Sequence, residues 1–331
     1  MEFQIPITIK KPAQQINYRD KILLTGSCFS EEIGDLLLQH KFDILQNPNG
    51  ILFDPLSICN SLTSYIENKQ FSVDELFYLN EVWQSWQHHS RFSGLDKDEV
   101  LQKINQSQRQ AHLFLEDAEW LIITVGTAYS YRVKKENESV PVANCHKAPA
   151  DFFIKRLLTI EEILAALDNC MHRLFKYNKN LKIIFTVSPV RHIRDGIAEN
   201  NRSKARLIET VHHMVNKFDR LYYFPAYELV LDVLRDYRFY NADLVHPNKM
   251  ATQFVFDHFS DNYFDIETKG LMQEVKSIVT AKNHKPFQKT TKAHSQFLKQ
   301  YYERTKILQE QNPFLNLHAE LDYFSSGNET L

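Results

Sequence analysis

The chain has 331 residues, 43% of them apolar and 24% charged. That is enough for one large domain or a domain with an appendage, and it excludes a disordered or fibrous protein. Thirty-nine Lys and Arg against 41 Asp and Glu leave a net charge of −2, so the bulk electrostatics call for neither nucleic acid nor an anionic membrane as partner.

In chain order, a short apolar run at 21–25 is closed by Gly26 and followed by an acid-led helical pattern at 30–40, which reads as strand, tight turn and helix. A second strand is expected at 42–46, and then a helix capped by Asp54 with Pro55 in its first position, running to about Tyr65. The continuous apolar runs at 120–125 and 182–187 are too short for helices and read as strands buried on both faces. Between them Thr159 and Glu162 form a capping box that opens a helix to about Asn178. A helix at 201–217, a fifth strand at 221–224 and a helical stretch at 225–236 continue the alternation, and Pro247 is expected as the first residue of a later helix. Strand–helix alternation predicts a three-layer α/β/α sandwich with a mostly parallel sheet.

Two interruptions read as β-hairpin insertions. One includes a strand at 77–86, and the other has strands at 129–133 and 139–143 around a turn at 134–138. After about Asp261 the pattern becomes charged and helical, with segments at 268–280 and 293–311, so residues 1–262 are expected to form the main domain and 263–331 a helical C-terminal extension. The N-terminus lacks a basic stretch followed by an apolar run, and no segment approaches roughly 20 apolar residues. Cys28, Cys59, Cys145 and Cys170 lack paired metal spacing. The expected chain is therefore cytoplasmic, with free thiols, no membrane partner and no bound metal.

In an open α/β sheet the chemistry belongs in loops at the carboxyl ends of the strands. The loop Thr25-Gly26-Ser27-Cys28-Phe29-Ser30 puts a hydroxyl near a helix N-terminus, where backbone amides can meet an oxyanion. The same serines also read as ordinary helix caps. Asp243 and His246, three apart before a helix, can form a couple in which the carboxylate orients the imidazole and the imidazole takes a proton. Cys28 reads either as a thiol nucleophile paired with His246 or, as the more favoured reading, as a small apolar filler. Arg191, after a strand, reads as a carboxylate or phosphate clamp or as half of a structural ion pair. His89 and Arg91 read as rim residues or as part of the site.

The stretch at 24–30, with the Asp243-Leu-Val-His246-Pro247 block, resembles the GSCFA-domain family within the SGNH (GDSL-like) hydrolase superfamily. The resemblance extends through Asn47 to Pro55, Thr124 to Thr127, Asn144 to Lys147 and Thr186 to Val190. Position 30 is Ser where the name-giving motif has Ala. The resemblance implies an SGNH/flavodoxin-like fold and a serine ester hydrolase. Ser27 would be the nucleophile, His246 the base, Asp243 its orienter, and the Ser27 and Gly50 amides the oxyanion donors. The asparagine of the superfamily's third block is absent from Gly126-Thr127-Ala128-Tyr129, so Thr127, Asn144 or His146 would have to replace it. The implied substrate is a small-molecule or carbohydrate O-acyl ester, with no cofactor, and Trp83, Trp86, Phe92, Tyr129 and Tyr131 are the aromatic residues available for a sugar ring. An acyltransferase using the same residues and a binding module that has lost the chemistry are the alternative readings.

Overall fold

The apolar runs become strands because each places side chains on two faces that must both be covered. The computed structural model describes residues 5–134, 139–288 and 290–325. The chain begins with β1 (Ile22–Gly26), α1 (Cys28–Gln39), β2 (Ile44–Gln46) and α2 (Pro55–Ile66). A hairpin of β3 (Leu76–Leu79) and β4 (Val82–Ser85) follows, then helix α3 (Lys97–Asp117) and strand β5 (Trp120–Val125). Next come β6 (Tyr129–Lys134), β7 (Ser139–Val142), β8 (Phe153–Leu157), α4 (Ile160–Tyr177), β9 (Lys182–Val187), α5 (Ile197–Lys217) and β10 (Leu221–Tyr223). The chain continues through a one-turn α6 (Ala226–Glu228) into π-helical turns at Leu229–Leu234. Four helices end it: α7 (Lys249–Tyr263), α8 (Ile266–Asn283), α9 (Lys292–Gln311) and α10 (His318–Ser325).

The strands β2, β1, β5, β9 and β10 pair in that order, all parallel. This is the three-layer sandwich with the 2-1-3-4-5 strand order of flavodoxin-like sheets. Alternation along the strands divides the core. Ile22, Leu24, Trp120, Ile122 and Ile184 face one layer with α1, α7 and the last three helices. Leu23, Leu121, Ile123, Phe185 and Val187 face the other, with α2, α3, α4 and α5. No helix among the described residues is long and apolar enough to cross a membrane.

Several local expectations need correction. The strand expected at 77–86 is a whole antiparallel hairpin over Leu76–Ser85, because Asn80 and Glu81 both take positive φ and turn the chain in two residues. The second insertion has three strands: β8 joins the far edge of β6, a strand hidden by its charged Lys155 and Arg156. The expected turn at 134–138 lies, beyond Lys134, outside the described residues. Helix α3 was not legible, since its buried positions, Val100, Ile104, Gln108, Ala111 and Leu115, form a thin stripe with one polar member. Pro247 does not begin α7. Asn248 caps it, its side chain accepting from the Met250 and Ala251 amides, while Pro247 is bridged to Tyr240.

The C-terminal helices add Val275, Ile278, Leu298, Leu308 and Phe324, and the turn before α10 adds Leu317, to the same apolar cluster as β1 and β5. Glu320, only 2% exposed, accepts from Lys41 Nζ at 2.9 Å and Lys282 Nζ at 3.0 Å, tying α10 to α8 and to the end of α1. Glu320→Ala would leave those ammonium groups unpartnered, at an expected cost of about 2 kcal/mol. A urea titration checks this, and an unchanged midpoint would contradict it.

Candidate active site

Strand order reverses between β1 and β5, so a crevice opens beyond their carboxyl ends. There Gly26 takes a φ of +135° and its N–H donates to Asn47 Oδ1 at 2.9 Å. Ser27 follows as the N-cap of α1, but its hydroxyl makes no capping bond. The residue is 1% exposed and its Oγ has no hydrogen-bond partner among the described residues. Its Cβ lies against Gly126, where an added methyl would stand 3.4 Å away. The structure does not bring Ser27 and His246 into hydrogen bonding.

Helix α1 presents three faces. Phe29, Ile33 and Leu37 enter the core. On one flank Glu31 accepts from Arg91 at 2.9 Å and Asn47 at 3.3 Å, and Asp35 from Gln46 at 3.0 Å. Arg91 also donates to the Asn47 carbonyl, so this insertion residue clamps the β2–α2 loop. On the other flank, one turn apart, stand the partly exposed Cys28 and Glu32, whose carboxylate accepts from Thr252 Oγ1 in α7 at 2.6 Å. Burial pushes the Cys28 thiol up to about 11, helped by the Glu32 charge, while the Phe29 and Cys28 amides and the Lys204 charge pull it back. Burial likewise raises Glu32, against the Thr252 hydroxyl and nearby His246.

The loop before α7 brings Asp243 and His246 together. His246 Nδ1 meets Asp243 Oδ2 at 2.7 Å, and Asp243 Oδ1 accepts the Val245 and His246 amides at 2.9 and 3.0 Å. The two amides and the imidazole hold the Asp243 carboxyl down at about 2. A carboxylate only accepts, so Nδ1 carries the proton and Nε2 is left as the base. Leu244 at the apex takes a φ of +59°, strained for a bulky side chain, and Arg191 holds it there. The Arg191 guanidinium donates to Leu244 O at 3.0 Å and lies 4.1 Å from the Tyr240 ring centre, and its amide donates to Val245 O. Arg191 thus braces the turn carrying His246, and no carboxylate pairs with it among the described residues.

The residues expected as oxyanion donors make local contacts. The Gly50 amide donates to Asn47 O at 2.7 Å and the Ser27 amide to Thr124 O at 3.1 Å. Thr127 Oγ1 accepts the Tyr129 amide and shares a hydrogen bond with Ser203 Oγ at 3.1 Å, stitching its own loop to α5. Asn144 Oδ1 accepts the His146 amide, and His146 Nε2 donates to Ser85 O at 2.8 Å, binding one insertion to the other. The aromatic residues are likewise engaged: Trp86 stacks on Phe77 with centroids 3.6 Å apart, Phe92 is buried, Lys97 sits over Trp83, Tyr131 meets Phe153 edge-on and Tyr129 bonds Glu199. His89, in the insertion after β4, accepts the Arg91 amide at Nδ1 and donates its own amide to Asn49 O of the β2–α2 loop.

Lys204 was missed. It is 1% exposed, and its ammonium donates to Gly126 O at 2.7 Å and Ser188 O at 2.6 Å, the carbonyls just beyond β5 and β9. No carboxylate pairs with it among the described residues. The signal was its phase on α5, in register with the buried Leu207, Val211 and Met214. Burial lowers its pKa from 10.5 to about 7, opposed by the Cys28 charge. Above pH 7 the unfolded chain therefore holds a proton that the folded one releases, so stability rises with pH by up to about 1.4 kcal/mol per unit. Between about pH 7 and 8.5, before the unfolded cysteines titrate, urea denaturation of the wild type should show more of this rise than Lys204→Met. Identical slopes would contradict the assignment.

The GSCFA family model matches residues 21–259, and the model for the C-terminal domain of GSCFA domain proteins matches residues 275–330. No curated protein matches in sequence. Among solved structures, a carbohydrate esterase family 3 protein from Talaromyces cellulolyticus is similar at 10% identity and TM-score 0.35, covering 78% of this chain and 99% of that one. A Clostridium thermocellum family 3 carbohydrate esterase gives 10% identity, TM-score 0.34 and coverage of 78% and 98%. An acetyl esterase mutant with acetate ion gives 10%, TM-score 0.36 and coverage of 78% and 99%. With a family match over residues 21–259, this chain belongs to the GSCFA family.

Proposed function

We propose that the chain hydrolyses esters by acyl transfer, with His246 as general base and then acid, Asp243 as its orienter, and the nucleophile on the turn from β1 to α1. The 2.7 Å Asp243–His246 contact, with the carboxylate held ionised by two amides, carries this reading, because it leaves one imidazole nitrogen free to move a proton. Ser27 is the nucleophile that the sequence assigns to the step. The amides of Cys28 and Phe29, in a first turn that no helical carbonyl can reach, are the donors available to an oxyanion. The substrate class is a small or carbohydrate O-acyl ester, and no step calls for a cofactor. Residues 1–262 are the proposed reacting unit and 263–331 a C-terminal attachment, whose described helices pack onto it.

The full chain is expected to release acetate from p-nitrophenyl acetate and from an acetylated monosaccharide, and His246→Ala to lose both activities. Equal rates for the two proteins would end the proposal, and a new sugar ester in place of free acetate would make the protein a transferase. The engagement of Gly50, Thr127 and His146 favours a second reading, a binding module. It predicts sugar-ester binding without turnover.

A further inference from the structure

We infer that the nucleophile is the Cys28 thiol rather than the Ser27 hydroxyl, with the buried Lys204 ammonium as the cation that balances the charge formed there. This inference rests on the acyl-transfer reading above. Ser27 is enclosed against Gly126 and the end of β5, whereas Cys28 opens on the flank of α1 that faces α7. Glu32, one turn from Cys28 on that flank, is bonded to Thr252 in the first turns of α7, and the loop leading into α7 carries His246.

Lys204 supplies the independent observation. The buried ammonium donates to the Gly126 and Ser188 carbonyls and lies 5.9 Å from the Tyr227 ring centre, but among the described residues no carboxylate compensates its charge. Cys28 is the titratable group whose charge acts on it, and Lys204 in turn favours the thiolate. Glu32 opposes it from the same flank. The Cys28 and Phe29 amides favour the charged sulfur, and these first-turn N–H groups would meet the carbonyl oxygen of a substrate attacked there.

The step balances without a co-reactant. His246 Nε2 takes the thiol proton as Sγ bonds to the ester carbonyl carbon, and the carbonyl electron pair moves to oxygen. Collapse breaks the carbon–alkoxide bond, the alcohol leaves with the proton from His246, and a thioester remains on Cys28. Water, giving a proton to His246, attacks the thioester; the acid leaves and the thiolate regains its proton. Burial keeps the resting sulfur a thiol, so the base is needed at each turnover.

The test is to quench full-length protein during turnover of p-nitrophenyl acetate and map the acetyl group by peptide mass spectrometry. The same assay is run on Ser27→Ala, Cys28→Ala and Cys28→Ser, with circular dichroism to confirm folding. Acetyl on Cys28 as a hydroxylamine-labile thioester, a loss of about 10³-fold or more in Cys28→Ala and a change of only a few fold in Ser27→Ala support the inference. The conservative Cys28→Ser should fold and shift the acetyl linkage to an oxygen ester or lose it. Acetyl on Ser27, or full activity in Cys28→Ala, overturns the inference while leaving the hydrolase standing. A wild type that turns over no ester and traps no acetyl group overturns both.

Discussion

Asp243→Asn is expected to keep the loop intact and lower ester turnover by about 10³–10⁴-fold. The amide oxygen can still accept the Val245 and His246 N–H groups now held at 2.9 and 3.0 Å, so the turn survives. Its NH₂, however, would face Nδ1, which now gives its proton to the carboxylate at 2.7 Å. The imidazole would move its proton to Nε2 and lose its basic face. Asp243→Ala removes both functions and should add a loss of order in the turn, where Leu244 sits at positive φ. Side-by-side kcat values and urea midpoints check this. An Asn variant within tenfold of wild type would mean that the couple does not orient a catalytic base.

Gly26→Ala is expected to abolish the fold around the site, at a cost above about 4 kcal/mol. A Cβ at that position would stand 2.1 Å from Thr124 O and 2.8 Å from the Thr124 carbonyl carbon, atoms fixed by the parallel pairing of β1 with β5. The φ of +135° adds backbone strain to the collision. The neighbouring strand cannot yield without breaking its register with β9, which pairs Thr124 with Thr186. Chemical denaturation decides the matter. A variant within about 1 kcal/mol of wild type would show that the two strands do not approach this closely at the turn.

The sheet was legible because its strands are continuous apolar runs closed by polar loops, a pattern that few other structures produce. Capping residues gave helix starts well, as with the box at Thr159 and Glu162, both of whose bonds form. The insertions were harder. The Asn80-Glu81 turn has two non-glycine residues at positive φ, and β8 carries its charges outward from a small satellite sheet. In the site, the sequence placed Asp243 beside His246 because three residues of separation suffice for a local turn. It could not show that Thr127 meets the Ser203 hydroxyl, that the His146 ring donates to Ser85 O, or that Arg191 braces Leu244, since those partners are distant in the chain. Lys204 is the opposite case: its helical phase was visible, but the carbonyls at the ends of β5 and β9 that make it significant are a property of the assembled sheet.

The central claim is that the turn opening α1 and the loop carrying His246 form one reacting site. The most direct measurement is a crystal structure of the protein after reaction with a β-lactone, which acylates serine and cysteine nucleophiles alike. The account predicts an adduct on the turn at Ser27 or Cys28, its oxygen facing the first-turn amides of α1 and His246 Nε2 within about 3.2 Å of it. An adduct on the turn with His246 beyond hydrogen-bond reach, or labelling only elsewhere in a folded protein, would contradict it.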